Sequence, residues 1–293
     1  MTVAAAAPAW TPRTWTWQGH RICWTRVGEG QPLLLIHGFG ASIGHWSKNM
    51  PALAAAGYEV WALDLLGFGA SDKPVQDYSL DLWLELLHDF WAEHIQRPVV
   101  PVGNSIGALL ALMLTTRHPD LTRGAVLLNC AGGLNHRPEE LVLPLRLVMG
   151  GFAWAVNHPW IGPLLFEQVR RPASIRRTLY QVYGNRESVT DELVELLYRP
   201  SCDPTAQQVF AAILRAPAGP TPQELLAQLT QPLLVLWGAS DPWTPIQGAD
   251  CFRQPAEGLA IEFHALADTG HCPHDDRPEV VHPRLLDWLA RLG

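Results

Sequence analysis

The fold is decided by one short stretch, Val99-Val100-Pro101-Val102-Gly103-Asn104-Ser105-Ile106-Gly107, which precedes the apolar run 108–114. Its β-branched residues predict a buried strand, and the apolar run predicts a helix. Gly103, Ser105 and Gly107 form a G-x-S-x-G pattern, which presents a serine hydroxyl on a sharp strand-to-helix turn. Since the glycines have no Cβ, neighbouring backbone can pass close to the serine. We therefore predict that Ser105 is a nucleophile.

Strands and helices alternate on both sides of this stretch. An antiparallel hairpin is predicted at 14–17 and 21–27, ahead of the alternating part. The other predicted strands lie at 33–36, 58–63, 99–102, 124–128, 233–237 and 261–265. Strands that alternate with helices favour crossover connections, so we predict an α/β fold with a mostly parallel central sheet flanked by helices.

The alternation stops after residue 130 and resumes after residue 230. Between these points the patterns are helical, and no convincing strand is seen. We therefore predict an α/β core formed by residues 1–130 and 231–293. Residues 131–230 are predicted to be a helical cap inserted into that core.

The composition excludes several classes of protein. An apolar content of 48% over 293 residues excludes a disordered chain, and a net charge of −7 argues against a nucleic-acid partner. Five irregularly spaced cysteines indicate no disulfide framework. Residues 1–9 lack the features of a signal peptide, and the uncharged run 147–166 is broken by glycine and proline. We therefore expect an intracellular protein without a transmembrane helix.

A catalytic acid is predicted at Asp241. It follows the strand at 233–237, and parallel sheets carry their chemistry at the carboxyl ends of strands. The alternative acid position follows the strand at 124–128, where Asn129 stands. Because an amide cannot act as a carboxylate, Asp241 is favoured. The other interpretation of Asp241 is a turn-forming residue before proline.

A catalytic base is predicted at His271, in Gly270-His271-Cys272-Pro273-His274-Asp275-Asp276. In folds that carry the serine on a nucleophile elbow, the acid and then the histidine follow the serine along the chain, as they do here. The histidines, Cys272 and Asp275 could alternatively bind a metal, but no second cluster completes a tetrahedral set. We therefore predict no metal and no cofactor, and hydrogen bonding within the loop for His274 and Asp276.

An oxyanion hole is predicted from two backbone N–H groups. One belongs to Ile106, the residue after the nucleophile, and the other to Phe39 in the turn His37-Gly38-Phe39-Gly40. His37 itself is interpreted as a structural hydrogen-bonding residue. Together these residues provide every group that acyl transfer to a serine requires.

The turn at 37–40, the elbow, Trp237-Gly238-Ala239-Ser240-Asp241 and Gly270-His271 resemble the α/β-hydrolase superfamily from about residue 20 onwards. Further motifs are similar to one branch, the chlorophyll dephytylases of cyanobacteria and plastids, with the related pheophytinases. They are Asn104, Leu127-Leu128-Asn129-Cys130-Ala131-Gly132-Gly133, Val182-Tyr183-Gly184-Asn185 and the run 270–279. The resemblance implies hydrolysis of the phytyl ester of chlorophyll, with magnesium belonging to the substrate.

The substrate is expected to lie under the cap. We expect Asn104, Phe152, Trp154, Trp160 and Trp243 to contact it. The alternatives are a pheophytin-preferring enzyme, a broad carboxylesterase or lipase for long-chain esters, and a pigment carrier without activity. The run 147–166 lies between Arg146 and the arginines at 170, 171, 176 and 177. This pattern fits either a peripheral contact with an anionic membrane such as the thylakoid, or simple packing of the cap.

Overall fold

A computed structural model describes residues 10–135, 151 and 154–292. The strands are β1 (Arg13–Trp17), β2 (His20–Val27), β3 (Gln31–Ile36), β4 (Tyr58–Leu63), β5 (Val100–Asn104), β6 (Ala125–Leu128), β7 (Leu233–Gly238) and β8 (Ile261–Leu266). They form one sheet in the order β1-β2-β4-β3-β5-β6-β7-β8. β2 pairs antiparallel with β1 and β4, and every other pair is parallel. The predicted fold class is confirmed.

Helices cover both faces of this sheet. In the core they are α1 (Asn49–Ala55), α2 (Leu80–Phe90), α3 (Ile106–Arg117), α9 (Asp250–Arg253), α10 (Pro273–Asp276) and α11 (Pro278–Leu292). Leu34 and Ile36 of β3 pack in the apolar cluster that contains α2 and α3. Leu33 and Leu35 pack in the opposite cluster, which contains α1 and α11. Because successive strand residues face opposite sides, a strand covered on both faces needs an unbroken apolar run.

Between β6 and β7 the structure describes helices and, within its described residues, no strand. They are α4 (Ile161–Val169), α5 (Pro172–Val182), α6 (Asp191–Ser201), α7 (Ala206–Arg215) and α8 (Pro222–Leu226). We call residues 131–230 the cap. Leu179, Val182, Leu193 and Cys272 belong to a third apolar cluster, which joins α5 and α6 to the loop after β8.

Two predicted helices are shorter in the structure. The sequence pattern of residues 42–56 predicts one helix from Ser42 to about Ala56, but the structure divides it into a 3-10 turn at Ile43–Trp46 and α1. Pro51 explains the break, because proline is tolerated in the first turn of a helix and not in its interior. The apolar spacing after Ser79 predicts a second helix that reaches about Gln96. In the structure this helix changes to a π turn at Trp91–Ile95, and Gln96 ends it with a left-handed φ of 54°.

Candidate active site

Ser105 occupies the sharp turn between β5 and α3. Its backbone has φ 56° and ψ −119°, a region that costs energy for any residue other than glycine. A Cβ on Gly103 would lie 2.0 Å from the Gly107 oxygen, and one on Gly107 would lie 2.2 Å from the Ile36 oxygen. The G-x-S-x-G spacing therefore follows from backbone contacts on both sides of the serine. The strained turn places Ser105 at the edge of a large cavity.

Asp241 and His271 form a buried pair at the carboxyl ends of β7 and β8. The Asp241 Oδ2 atom lies 2.6 Å from His271 Nδ1. Thr244 Oγ1 donates to the same oxygen, and the Trp243 N–H donates to Oδ1 over 2.8 Å. Burial raises the pKa of the Asp241 carboxyl, but the bonds from His271, Thr244 and Trp243 outweigh it and hold that pKa below its usual value. Asp241 therefore stays ionised beside the imidazole.

Asn129 is a component of the site that the sequence did not assign. Its Nδ2 donates to Asp241 Oδ2 over 2.7 Å, and its Oδ1 accepts from the Gly238 N–H over 2.8 Å. The side chain is completely buried, and its backbone is left-handed with φ 44°. Asn129, which stands at the alternative acid position after β6, therefore binds and orients the Asp241 carboxylate at the end of β7. In the sequence, the asparagine at the alternative acid position was the feature from which this role could have been inferred.

Asn104 connects the elbow to the loop that carries His271. Its Nδ2 donates to the His271 carbonyl over 2.9 Å and to the Leu128 carbonyl over 3.1 Å. Both amide hydrogens are thus used within the protein, and the side chain is 2% exposed. Its amide nitrogen therefore joins protein loops, and because the residue also borders the cavity, its contact with substrate stays a prediction.

The turn at 37–40 packs against the nucleophile. A Cβ on Gly38 would lie 3.3 Å from Ser105 Cβ, so the backbone that leads to Phe39 adjoins the serine. His37 Nδ1 lies 2.8 Å from the Gly38 carbonyl, and Nε2 accepts from the Leu65 N–H. The structural interpretation of His37 is thus supported by two hydrogen bonds. Burial lowers the pKa of His37 to about 4.

Phe39 and Ile106 both border the cavity beside Ser105. Ile106 is the first residue of α3, so its N–H has no acceptor within the helix. The two backbone N–H groups come from segments that both adjoin the serine. This arrangement is compatible with the predicted oxyanion hole.

The cavity measures about 1840 Å³ and lies between the core and the cap. Ser105 and His271 line it together with Phe39 and Trp243 from the core. The cap contributes mostly apolar side chains, among them Phe166, Val169, Ile175, Leu179, Leu197, Val209, Phe210 and Ile213. Sites for drug-sized ligands measure about 300–1,000 Å³, so this cavity suits a larger apolar molecule.

The predicted aromatic contacts divide into three groups. Trp243 lines the cavity, with its ring centroid 5.2 Å from that of His271. Trp154 and Trp160 do not belong to the described lining residues; they are 62% and 79% exposed on the cap. The expectation that these two contact a substrate inside the cavity is wrong, because their rings face outward. Phe152 lies outside the described residues.

The loop after His271 differs from the sequence prediction at one residue. Asp276 accepts three backbone N–H groups, as a loop hydrogen-bonding residue should. His274 makes no such bond: in the described part of the chain neither ring nitrogen has a hydrogen-bond partner. The ring packs against Trp46, with 4.1 Å between the two ring centroids. Burial lowers the pKa of His274 well below its usual value. Among the described residues, no group of three or more His, Cys, Asp or Glu side chains is arranged to hold a metal.

Comparison with known proteins identifies the family. The model of the alpha/beta hydrolase family matches residues 33–284. The chain belongs to this family. It is similar to the 2-hydroxymuconate semialdehyde hydrolase of Pseudomonas sp. (strain CF600), with 31% identity over 275 residues, which covers 90% of this chain and 88% of the relative. As an alpha/beta hydrolase, it is an enzyme of the hydrolase class.

Two further comparisons concern a plant relative and a solved structure. Arabidopsis thaliana chloroplastic pheophytinase is 28% identical over 304 residues, which covers 90% of this chain. The alignment spans 62% of the pheophytinase, so the chain matches less than two thirds of that relative. The meta-cleavage product hydrolase CumD from Pseudomonas fluorescens IP01 superimposes with a TM-score of 0.77 at 24% identity, covering 96% and 98% of the two chains. This last likeness concerns the fold alone.

The helices of this alpha/beta hydrolase can be compared with the length and apolar character that a bilayer requires. Of the helices that the structure describes, none combines the length and the apolar character needed to cross a bilayer.

Proposed function

We propose that this alpha/beta hydrolase cleaves the phytyl ester of chlorophyll, releasing phytol and chlorophyllide. One observation carries the proposal: Ser105 and His271 border a cavity of about 1840 Å³ whose cap side is mostly apolar. A phytyl chain buried in such a cavity gains about 0.8 kcal/mol for each CH₂ removed from water. The volume also leaves room for the bulky acyl half of a pigment ester.

The reaction proceeds through an acyl-enzyme. His271 takes the proton of the Ser105 hydroxyl, and the serine oxygen attacks the ester carbonyl. The N–H groups of Phe39 and Ile106 bind the oxyanion, while Asp241 orients the imidazole and stabilises its positive charge. His271 then protonates phytol as it leaves. Water deprotonated by the same histidine hydrolyses the acyl-enzyme, which frees the pigment acid and regenerates Ser105. No cofactor takes part, and magnesium belongs to the substrate.

The similarity to pheophytinase supports a phytylated pigment as the substrate class. Trp243 is the predicted contact that borders both the cavity and His271, and its ring offers a stacking surface for the pigment. A preference for pheophytin over chlorophyll uses the same groups and is the nearest alternative. A broad carboxylesterase or lipase acting on long-chain esters is the second, because an apolar cavity binds any long chain.

The cap surface suits a peripheral membrane contact, such as that with the thylakoid. Trp154, Trp160 and Leu164 are 62%, 79% and 69% exposed, which is unusual for such large apolar side chains. Arg171 and Arg177 follow these residues in the sequence. Both are exposed and make no ion pair within the described residues. Arg170 and Arg176, by contrast, pair with Glu167 and Asp191. Exposed tryptophans, together with arginines that lack an ion pair among the described residues, favour an anionic lipid interface.

Product analysis tests the proposed activity. The purified enzyme is incubated separately with chlorophyll a, pheophytin a, a short p-nitrophenyl ester and 2-hydroxymuconate semialdehyde. We expect chlorophyllide and phytol from chlorophyll a. Pheophorbide from pheophytin a alone would change the preferred pigment. Turnover of the short ester or the semialdehyde with neither pigment product would overturn the proposal.

A further inference from the structure

A short segment of the cap, Val182-Tyr183-Gly184-Asn185, touches the backbone of the loop that carries His271. The His271 N–H donates to the Val182 carbonyl over 2.7 Å. A Cβ on Gly270 would lie 1.9 Å from that carbonyl oxygen, and one on Gly184 would lie 2.2 Å from the Asp268 oxygen. The two backbones are therefore in direct contact, with a glycine needed on each side.

The carboxylate of Asp276 joins both segments. Its Oδ2 accepts from the Gly270 N–H over 2.7 Å and from the Gly184 N–H over 2.8 Å. Its Oδ1 accepts from the Asn185 N–H over 2.8 Å. The side chain is 1% exposed. Hydrogen bonds to a buried carboxylate are stronger than neutral ones, so this group holds the cap segment against the residue before His271.

Tyr183 makes a second connection between the same segment and the core. Its hydroxyl donates to Asp275 Oδ2 over 2.8 Å and lies 2.8 Å from His45 Nε2. Lys48 Nζ lies 3.1 Å from Asp275 Oδ1 and neutralises that carboxylate. The tyrosine ring packs in the cluster that also contains Cys272, the residue after His271. Bonds from the cap thus reach the core on both sides of the histidine.

We propose that Asp276 is a positioning residue for the base. It clamps the segment 182–185 to the loop 268–271 and so holds His271 in line with Ser105 and Asp241; this inference rests on the proposed role of His271. The clamped half of the cap stays fixed to the catalytic loop.

The substitution Asp276→Asn tests the clamp, because an amide cannot accept from all three N–H groups. We expect kcat on a short p-nitrophenyl ester to fall by about 10- to 100-fold with KM within about twofold, since a small misplacement of a catalytic group costs this much. Labelling of Ser105 by a fluorophosphonate should slow by a similar factor. Hydrogen exchange should become faster in both 182–185 and 268–271.

Asp64→Asn is the matched control. Asp64 is also a buried carboxylate, and it accepts the Ile43 and Ala70 N–H groups over 2.7 Å each, away from the His271 loop. We expect this variant to lose thermal stability while its kcat stays within about threefold of the wild type. The proposal is overturned if Asp276→Asn leaves kcat unchanged, or if both variants lose activity in proportion to stability.

The outcomes separate this inference from the proposed function. If the wild type fails with pigment but Asp276→Asn still slows the short ester, the substrate is wrong and the clamp stands. If the probe does not label wild-type Ser105, the proposed function fails, and hydrogen exchange alone decides the clamp. If Asp276→Asn does not fold, Asn185→Pro replaces it, because proline removes the N–H that donates to Asp276 Oδ1. That variant should lower kcat about tenfold at constant KM, and an unchanged kcat overturns the proposal.

Discussion

At the scale of single residues, Asp241 is held by more partners than a turn-forming aspartate would need. Its Oδ2 receives the side chains of Asn129, Thr244 and His271, and its Oδ1 receives the Trp243 N–H. Each bond favours the ionised carboxylate in one orientation. The catalytic interpretation of Asp241 is therefore favoured over the turn-forming one.

Removal of the Asn129 amide is expected to impair turnover. In Asn129→Ala, Asp241 Oδ2 loses a donor, and a hydrogen bond to a charged group contributes about 1.5–3 kcal/mol. We expect kcat on a short ester to fall by about 10- to 100-fold with little change in KM. Asn49→Ala is the control, because Asn49 is also a buried amide and bonds to the His274 carbonyl and His282. Equal losses of kcat in the two variants would contradict a specific role for Asn129.

The site residues that the sequence predicts and those that it misses differ in whether a local sequence pattern marks them. Ser105, Asp241 and His271 follow strand ends in a fixed order, so local patterns reveal them. Asn129 and Thr244 act through side-chain bonds to Asp241, and Asn129 is 112 positions away from it. Sequence spacing cannot show such a contact. Trp154 and Trp160 were assigned to the wrong side of the cap, because an apolar run does not tell which face of a helix is covered.

At the scale of elements, the strands were predicted to within two residues at each end. The inner strands β3, β6 and β7 contain continuous apolar runs, which burial on both faces explains. The bounds of the helices depend instead on local breaks. Because Pro51 must lie in the first turn of a helix, α1 begins later than the apolar pattern of this segment predicts. The second predicted helix ends in the π turn at Trp91–Ile95, which follows α2. The helices between β6 and β7 agree with a cap, and the division into core and cap stays an interpretation of that pattern.

The cap element carries the prediction about membranes. We expect the protein to cosediment with anionic liposomes, and the double variant Arg171→Gln/Arg177→Gln to bind about 10- to 30-fold more weakly, since each basic residue near the surface contributes about 1 kcal/mol. Arg253→Gln/Arg284→Gln removes the same charge from the core and should bind as the wild type does. Binding that ignores salt and is equal in both variants would remove the membrane interface from the proposal.

At the scale of the whole molecule, acid should destabilise the fold. The pKa values of several histidines are lowered, chiefly by burial: His37, His45, His94, His118, His274 and His282. In the unfolded chain a histidine takes up its proton near pH 6.5, so the unfolded state binds more protons below that pH and stability falls. Asp64 opposes this, since burial raises its pKa to about 6, but one carboxyl does not offset six histidines.

His274→Leu isolates one of these groups. The side chains have similar volume, and leucine leaves no unpartnered ring nitrogen between Trp46 and His45. We expect the loss of unfolding free energy between pH 7.5 and pH 5 to shrink by about 1–2 kcal/mol relative to the wild type. Urea unfolding at the two pH values measures this difference. An unchanged pH dependence would mean that His274 is not kept neutral by the fold.

The central claim is that Ser105 attacks a phytyl ester, and phytol release by Ser105→Ala tests it most directly. Wild type and variant are incubated with chlorophyll a, phytol and chlorophyllide are quantified together, and pigment binding is followed by fluorescence. We expect the wild type to release the two products in equal amounts. The variant should retain pigment binding and lose about 1,000-fold or more of the release rate, because the nucleophile is gone. Release by Ser105→Ala at the wild-type rate, or binding by both proteins with release by neither, would contradict the claim.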